Sequence, residues 1–197
     1  MNEKIHSLFK TFNFIDNTDI LVGRLPEKII SEVDDMVNYC NKIKHDDLSY
    51  LREHFNAGRN SYQISVPAPV LEDSYIFAFL NHMGEYYFHK VRNLPYEEVF
   101  RKVVFKKDYG HYDGYSFWVN YSYLNDFNPE HTHGGSISGV IYIKNDDNEE
   151  TIFPNVTSYC GKKGDIIMFP ANLEHKVNLK ETISERITIA YNMYYWD

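Results

Sequence analysis

Four side chains in the C-terminal half of this sequence have the types and order of a metal site with an anion hook. His131 and His133 stand two residues apart in Glu130-His131-Thr132-His133, directly before the β-branched run Ile137 to Ile143. In a strand, residues i and i+2 project from one face, so the two imidazoles would point side by side into whatever that strand covers. A third, His175, follows the run Asp165 to Pro170, and Arg186 opens the apolar run Ile187 to Tyr191. Neutral imidazole offers a lone pair at physiological pH, which makes histidine the commonest metal ligand. An isolated H-x-H is weak evidence, since a surface strand can carry two histidines by chance. His175, placed after a strand and a proline turn, is expected opposite the H-x-H strand in a rolled barrel. Arg186 and Thr188 share a strand face, and a cation facing a barrel interior is costly unless paired. A ligand carboxylate gripped bidentately is one partner; a neighbouring Glu or Asp is the plain alternative. The remaining histidines, at 6, 45, 54, 82, 89 and 111, lack such company and are read as surface or helix-face residues, with His111 a candidate for a mouth loop.

The elements that must position these groups follow from periodicity. Residues 1–24 read as short strands and turns. Ile29, Ile30, Val33, Met36, Val37, Cys40 and Ile43 recur at three- and four-residue steps after Pro26, which predicts an amphipathic helix over 26–44 that covers a sheet. Residues 45–70 read as a loop with a short strand near 62–66. A second helix is expected over 71–92, with Gly84 an oddity in its middle. The stretch 97–107 fits helix or strand equally. From Tyr115 onward the pattern is short strands at 116–123, 136–144, 151–153, 165–169, 176–179 and 186–195, separated by Gly, Asn, Asp and Pro turns. The expected fold is mainly β with helical support (α+β): a jelly-roll, cupin-like barrel preceded by amphipathic helices. One domain of 1–197 is expected, with 1–114 as support and 115–197 as the core carrying the site.

Composition bounds the function classes. The chain has 197 residues, 43% hydrophobic and 16% aromatic, and a net charge of -8. That suits a packed β protein, and its acidity disfavours nucleic-acid and anionic-membrane partners. Two cysteines without a CxxC point to a reducing compartment rather than a disulfide framework. No signal peptide is read at the N-terminus, and no run reaches the ~18 apolar residues of a membrane helix. A cytoplasmic setting, in a bacterium or a phage-infected cell, is expected.

As a set, these residues resemble the Fe(II)/2-oxoglutarate-dependent dioxygenases, closest to small bacterial and phage members and more loosely to the prolyl hydroxylase branch. The resemblance runs through Trp118-Val119-Asn120, His131-x-His133, Ser138 to Tyr142, Gly164 to His175 and Arg186-Ile187-Thr188, covering about 115–197. It implies His131 and His175 as Fe(II) ligands and Arg186 as partner of the distal carboxylate of 2-oxoglutarate, with Thr188 beside it. It also implies Tyr142, and Tyr121, as cosubstrate-binding residues. The implied activity consumes dioxygen, decarboxylates 2-oxoglutarate to succinate and hydroxylates a substrate the sequence does not identify. The departure is His133, where most of the superfamily has Asp or Glu. Three readings follow: a neutral third ligand, which we favour, an open position, or replacement by Asp126 or Glu130. Tyr109, Tyr112, Tyr115, Tyr121, Tyr123 and Tyr142 could shape a substrate mouth, or be ordinary core and rim residues. The competing classes are a cupin-type metal protein, which leaves Arg186 unused and lacks a glutamate between Gly134 and Gly139, and a non-catalytic jelly-roll binding module.

Overall fold

Alternation along the long strands decides everything downstream, because it gives one sheet two apolar faces. In the computed structural model the described residues are 9, 11–46, 62–108 and 114–196. In chain order the elements are β1 (Asn13–Phe14), β2 (Leu21–Arg24), α1 (Glu27–Asp46), β3 (Tyr62–Pro67), α2 (Ala68–Glu72), α3 (Tyr75–Arg92) and α4 (Tyr96–Val99). Then come β4 (Val103–Val104), β5 (Lys107–Asp108), β6 (Gly114–Ser122), β7 (Asn128–His131), β8 (Ile137–Lys144), β9 (Thr151–Phe153), β10 (Thr157–Tyr159), β11 (Asp165–Pro170), β12 (His175–Val177) and β13 (Arg186–Tyr195). The large sheet runs β1-β2-β11-β8-β13-β6-β3, with β4 added on β13 and β5 on β6; the small sheet runs β10-β9-β12-β7. The pairings are antiparallel.

On one face of the large sheet, Phe117, Val119 and Tyr121 of β6 line up with Tyr191, Ile189 and Ile187 of β13, and Ile141 of β8 sits beside Ile189 and Ile166. This face packs with Val33, Val37 and Cys40 of α1 and Ile76, Leu80 and Met83 of α3 in one apolar core. Each wholly buried large side chain there contributes roughly 1.5–3 kcal/mol. On the other face Tyr142, Ile167 and Phe169 form a second, smaller core with Ile20 and with Phe153 of the small sheet. Phe153 and Phe169 meet edge to face at 4.9 Å.

The helices differ from the expected spans for local reasons. The stretch 71–92 is divided, because Ser74 caps α3 by accepting a hydrogen bond from the Phe77 amide. The Glu32 carboxylate of α1 takes the Tyr75 and Ile76 amides at 2.8 and 2.7 Å, a favourable anion at a helix N-terminus. Gly84 is there because β4 crosses the helix closely: a Cβ would lie 2.6 Å from Val103 Cγ1. The ambiguous 97–107 stretch is both things in turn, α4 and then β4 and β5. Buried Glu85 fixes that switch, accepting hydrogen bonds from the Arg101 amide at 2.8 Å and the Tyr96 hydroxyl at 2.6 Å. Among the described residues no helix is long and apolar enough to cross a membrane.

Candidate metal centre

The H-x-H segment is not one strand. β7 ends at His131, the chain turns through Gly134 and Gly135, and β8 begins at Ile137 in the other sheet. Gly135 takes φ +110°, and a Cβ there would lie 2.9 Å from the Met193 carbonyl oxygen. His133 therefore reaches the site from a connection, not from strand alternation; its backbone amide donates to Ala171 O at 2.9 Å, in the link between β11 and β12. His175 also differs from its expected place: it stands beside His131, its cross-strand partner in the small sheet, rather than opposite.

The three imidazoles converge all the same. Ring centroids are 4.8 Å apart for His131 and His133, 4.3 Å for His131 and His175, and 5.0 Å for His133 and His175. One ligand atom from each lies within 4.8 Å of the others, and among the described residues these three are the only such group. His131 Nδ1 is 2.7 Å from Pro129 O, and His175 Nδ1 is 3.0 Å from Leu173 O. A carbonyl only accepts, so Nδ1 carries the proton in both rings and the Nε2 lone pair is left to coordinate. Burial, reinforced by the neighbouring imidazoles, lowers the pKa of His133 to about 3. Burial also lowers that of His175 to about 4, against the hydrogen bond its Nδ1 donates to Leu173 O. Both rings are neutral at physiological pH. Oriented, unprotonated nitrogens are what a divalent ion needs, so the donor set fits a metal. Phe169 and Phe153 flank His175 at 4.8 and 6.1 Å, and Trp118 stands 6.0 Å from His133.

Neither carboxylate considered as a replacement joins the group. Asp126 accepts the Tyr123 amide at 2.7 Å and closes a turn, and exposed Glu130 lies 3.8 Å from Lys176 Nζ.

Arg186, Thr188 and Tyr142 lie on the interior face of the large sheet. Thr188 is in register with Tyr142 on one side and Asn120 on the other, and Asn120 Nδ2 donates to its hydroxyl at 3.4 Å. Two steps along, Ala190 is level with Val140 and Trp118. Arg186 is buried at 5% exposure. Its Nη2 donates to Thr151 Oγ1 at 3.5 Å, its Cζ lies 5.7 Å from the Tyr142 ring centre, and its Nε is 3.9 Å from Glu149 Oε2. The Tyr142 hydroxyl shares a 2.7 Å hydrogen bond with Thr151, and burial raises its pKa despite the nearby guanidinium.

Tyr121 is not part of this constellation. It occupies the odd-numbered face of β6 with Phe117 and Val119, and its hydroxyl donates to Val37 O at 3.4 Å, in the helix-side core. Tyr115 and Tyr123 share that parity and that core. The mouth reading therefore fails for all three. Tyr109, His111, Tyr112, His6, His54 and, of the expected loop over 45–70, residues 47–61 lie outside the described residues. His82 and His89 are on α3, as helix-face residues.

Sequence reasoning missed Glu149 and Lys180. The Lys180 side chain is 1% exposed and donates to Asp147 Oδ2 at 2.9 Å, to Glu149 Oε1, and to Thr182 Oγ1 at 2.7 Å. No periodicity marks it, because it sits on an irregular segment tied by backbone hydrogen bonds to Asn125 and Asp126. Acidic residues at 147 and 149 in one turn were the only signal. Trp118 and Asn120 were noticed as motif residues; their buried Nε1 and Oδ1 have no hydrogen-bond partner among the described residues.

No protein-family model matches the sequence, and no curated protein matches it. Solved structures do. A viral collagen prolyl hydroxylase from Paramecium Bursaria Chlorella virus-1, in complex with 2OG, is 14% identical, with a TM-score of 0.61 over 94% of this chain and 100% of that one. A Pseudomonas putida prolyl-4-hydroxylase is 11% identical, with a TM-score of 0.60 over 98% of this chain and 100% of that one. HygX from Streptomyces hygroscopicus, solved with nickel and 2-oxoglutarate, is 11% identical, with a TM-score of 0.52 over 100% of this chain and 90% of that one. At these identities the likeness is one of fold: the chain has the fold of structures described as 2OG-Fe(II) oxygenases, and it carries three histidines that could hold a metal.

Proposed function

We propose that this chain is an Fe(II)- and 2-oxoglutarate-dependent oxygenase, a single domain whose residues 115–197 form a closed jelly roll supported by 1–114. The observation that carries the reading is the convergence of three imidazoles whose ligand atoms lie within 4.8 Å of one another. A buried guanidinium on the interior face of the other sheet completes the pattern. His131, His133 and His175 would hold the ion. Bound there, Fe(II) supplies the redox chemistry that couples decarboxylation of 2-oxoglutarate to succinate with hydroxylation of a substrate.

The protein's own part is placement. The Pro129 and Leu173 carbonyls fix the tautomers of His131 and His175. Arg186 grips the distal carboxylate of 2-oxoglutarate, with Thr188 and the Tyr142 hydroxyl beside it. At ~3.3 Å per residue, Arg186 and the Ala190–Trp118 level are about 13 Å apart along the strands. The Arg186 side chain and a five-carbon diacid together bridge that length. Phe153, Phe169 and Trp118 keep water from the ion.

The all-imidazole donor set also favours a second reading, a metal protein of cupin type that does not use 2-oxoglutarate. The two separate in one thermal-shift experiment. Mn(II) raises the melting temperature in both readings. A further rise on adding 2-oxoglutarate, lost in Arg186→Ala, is expected only for the oxygenase; a rise that survives Arg186→Ala, or none in the wild type, contradicts it.

A further inference from the structure

Arg186 Nε and Glu149 Oε2 are both fully buried, and neither has a hydrogen-bond partner among the described residues. They are 3.9 Å apart, and among the described residues Glu149 is the one carboxylate ion-paired with Arg186. A buried cation without a counterion is unfavourable, and a carboxylate fixed beside it offsets part of that cost. Glu149 is fixed twice over. Its backbone is clamped by the Asn145 side chain, whose Nδ2 donates to Glu149 O at 2.9 Å and whose Oδ1 accepts from the Glu149 backbone amide at 3.0 Å. Its Oε1 is held by Lys180, whose ammonium also bonds Asp147, Thr182 and Ser184. Lys180 and Arg186 are thus linked through the two oxygens of one carboxylate.

We propose that Glu149 is a positioning residue for Arg186, anchored by Lys180, and that this pair sets the preference of the pocket for a dicarboxylate. With the Nε edge facing Glu149, rotation of the guanidinium is restrained, and its terminal Nη edge, of which Nη2 also reaches Thr151 at 3.5 Å, is the part left to take a ligand carboxylate. That edge is the fork that binds a carboxylate bidentately. Lys180 acts one step further back: without it the Glu149 carboxylate loses its anchor, and Arg186 loses a fixed counterion.

The inference rests on Arg186 being the carboxylate anchor, and the experiment separates the two claims. Calorimetric titrations of the Mn(II)-loaded protein are run with 2-oxoglutarate and with 2-oxopentanoate, which keeps the five-carbon 2-oxo acid and replaces the far carboxylate with a methyl group. Wild type is expected to prefer 2-oxoglutarate. In Glu149→Gln and in Lys180→Met that preference shrinks by on the order of tenfold, the size of one charge-assisted contact. A role confined to folding would weaken both ligands together and leave their ratio untouched. An unchanged ratio in whichever variant folds, or a ratio that grows because Glu149 had been competing with the ligand, overturns the positioning role while leaving the anchor in place. A wild type without preference overturns the anchor itself.

Discussion

His131 and His175 each hold a backbone carbonyl with Nδ1, and that single hydrogen bond turns an imidazole into an aimed ligand. Truncating His175 to alanine is expected to weaken Mn(II) or Fe(II) binding by more than the roughly 10–100-fold that loss of a supporting partner costs. Competition with a chelating dye measures it. His133 and His175 set a pH dependence for the metal-free protein. His133 and His175 titrate at about 3 and about 4 when folded, below the ordinary 6.5. Between those values the unfolded chain binds protons that the folded one does not. Stability is therefore full above pH 6.5 and is lost as pH falls toward 4, with a slope of about 1.4 kcal/mol per unit for each histidine. Urea melts at a series of pH values, compared with a His175→Ala variant that has a shallower slope, test this. At this scale much was legible: residue types, their order and the parity of Arg186 and Thr188 can all be read from the chain. Tyr121 was misplaced although the signal was present. Phe117, Val119 and Tyr121 alternate as one apolar face, which puts Trp118 and Asn120, not Tyr121, on the side of the site. Lys180 was illegible, since what buries it is a ring of oxygens brought from two connections, Asp147 and Glu149 from one and Thr182 and Ser184 from the other.

Strands are the scale at which the glycines matter. A Cβ at Gly161 would lie 2.2 Å from the Tyr142 ring, and one at Gly139 would lie 2.2 Å from the Tyr191 ring. Both rings are wholly buried in strands that cannot retreat. Overpacking of this kind typically costs about 1–3 kcal/mol. Gly139→Ala, on the helix-side face, is expected to lower stability alone. Gly161→Ala should lower it similarly and also weaken 2-oxoglutarate binding, because the ring it displaces lies beside Arg186. Chemical denaturation with a parallel ligand titration distinguishes them; equal ligand affinity in the two variants would remove Tyr142 from the pocket. The long strands were readable because alternation survives in them. β7 and β10, at four and three residues, were not read as strands. His133 was aimed correctly for the wrong reason: it reaches the site through the Gly134–Gly135 turn and the Ala171 carbonyl, neither of which a period-two rule contains. The break between α2 and α3 is made by the Ser74 cap and reinforced by Glu32 from another helix, a contact no local pattern carries.

In the whole molecule the donor set joins distant parts of the chain. His131 and His133 precede β8, His175 follows β11, and His131 and His175 are brought together by pairing in the small sheet. An ion that binds only the folded form stabilises it by RT ln(1 + [L]/Kd), about 2.7 kcal/mol at a hundredfold excess over Kd. For a chain of this length that is a rise of roughly 5–10 °C in Tm, reversed by a chelator. A Tm indifferent to divalent metal would mean that the imidazoles pack without coordinating. The most direct test of the central claim is an anaerobic titration of the wild type with Fe(II) and 2-oxoglutarate, followed in the visible range. A weak charge-transfer band is expected only when both are present, absent in His175→Ala and shifted to higher 2-oxoglutarate concentration in Arg186→Ala. No band in the wild type at saturating Fe(II) and 2-oxoglutarate, or an undiminished band in His175→Ala, would contradict it.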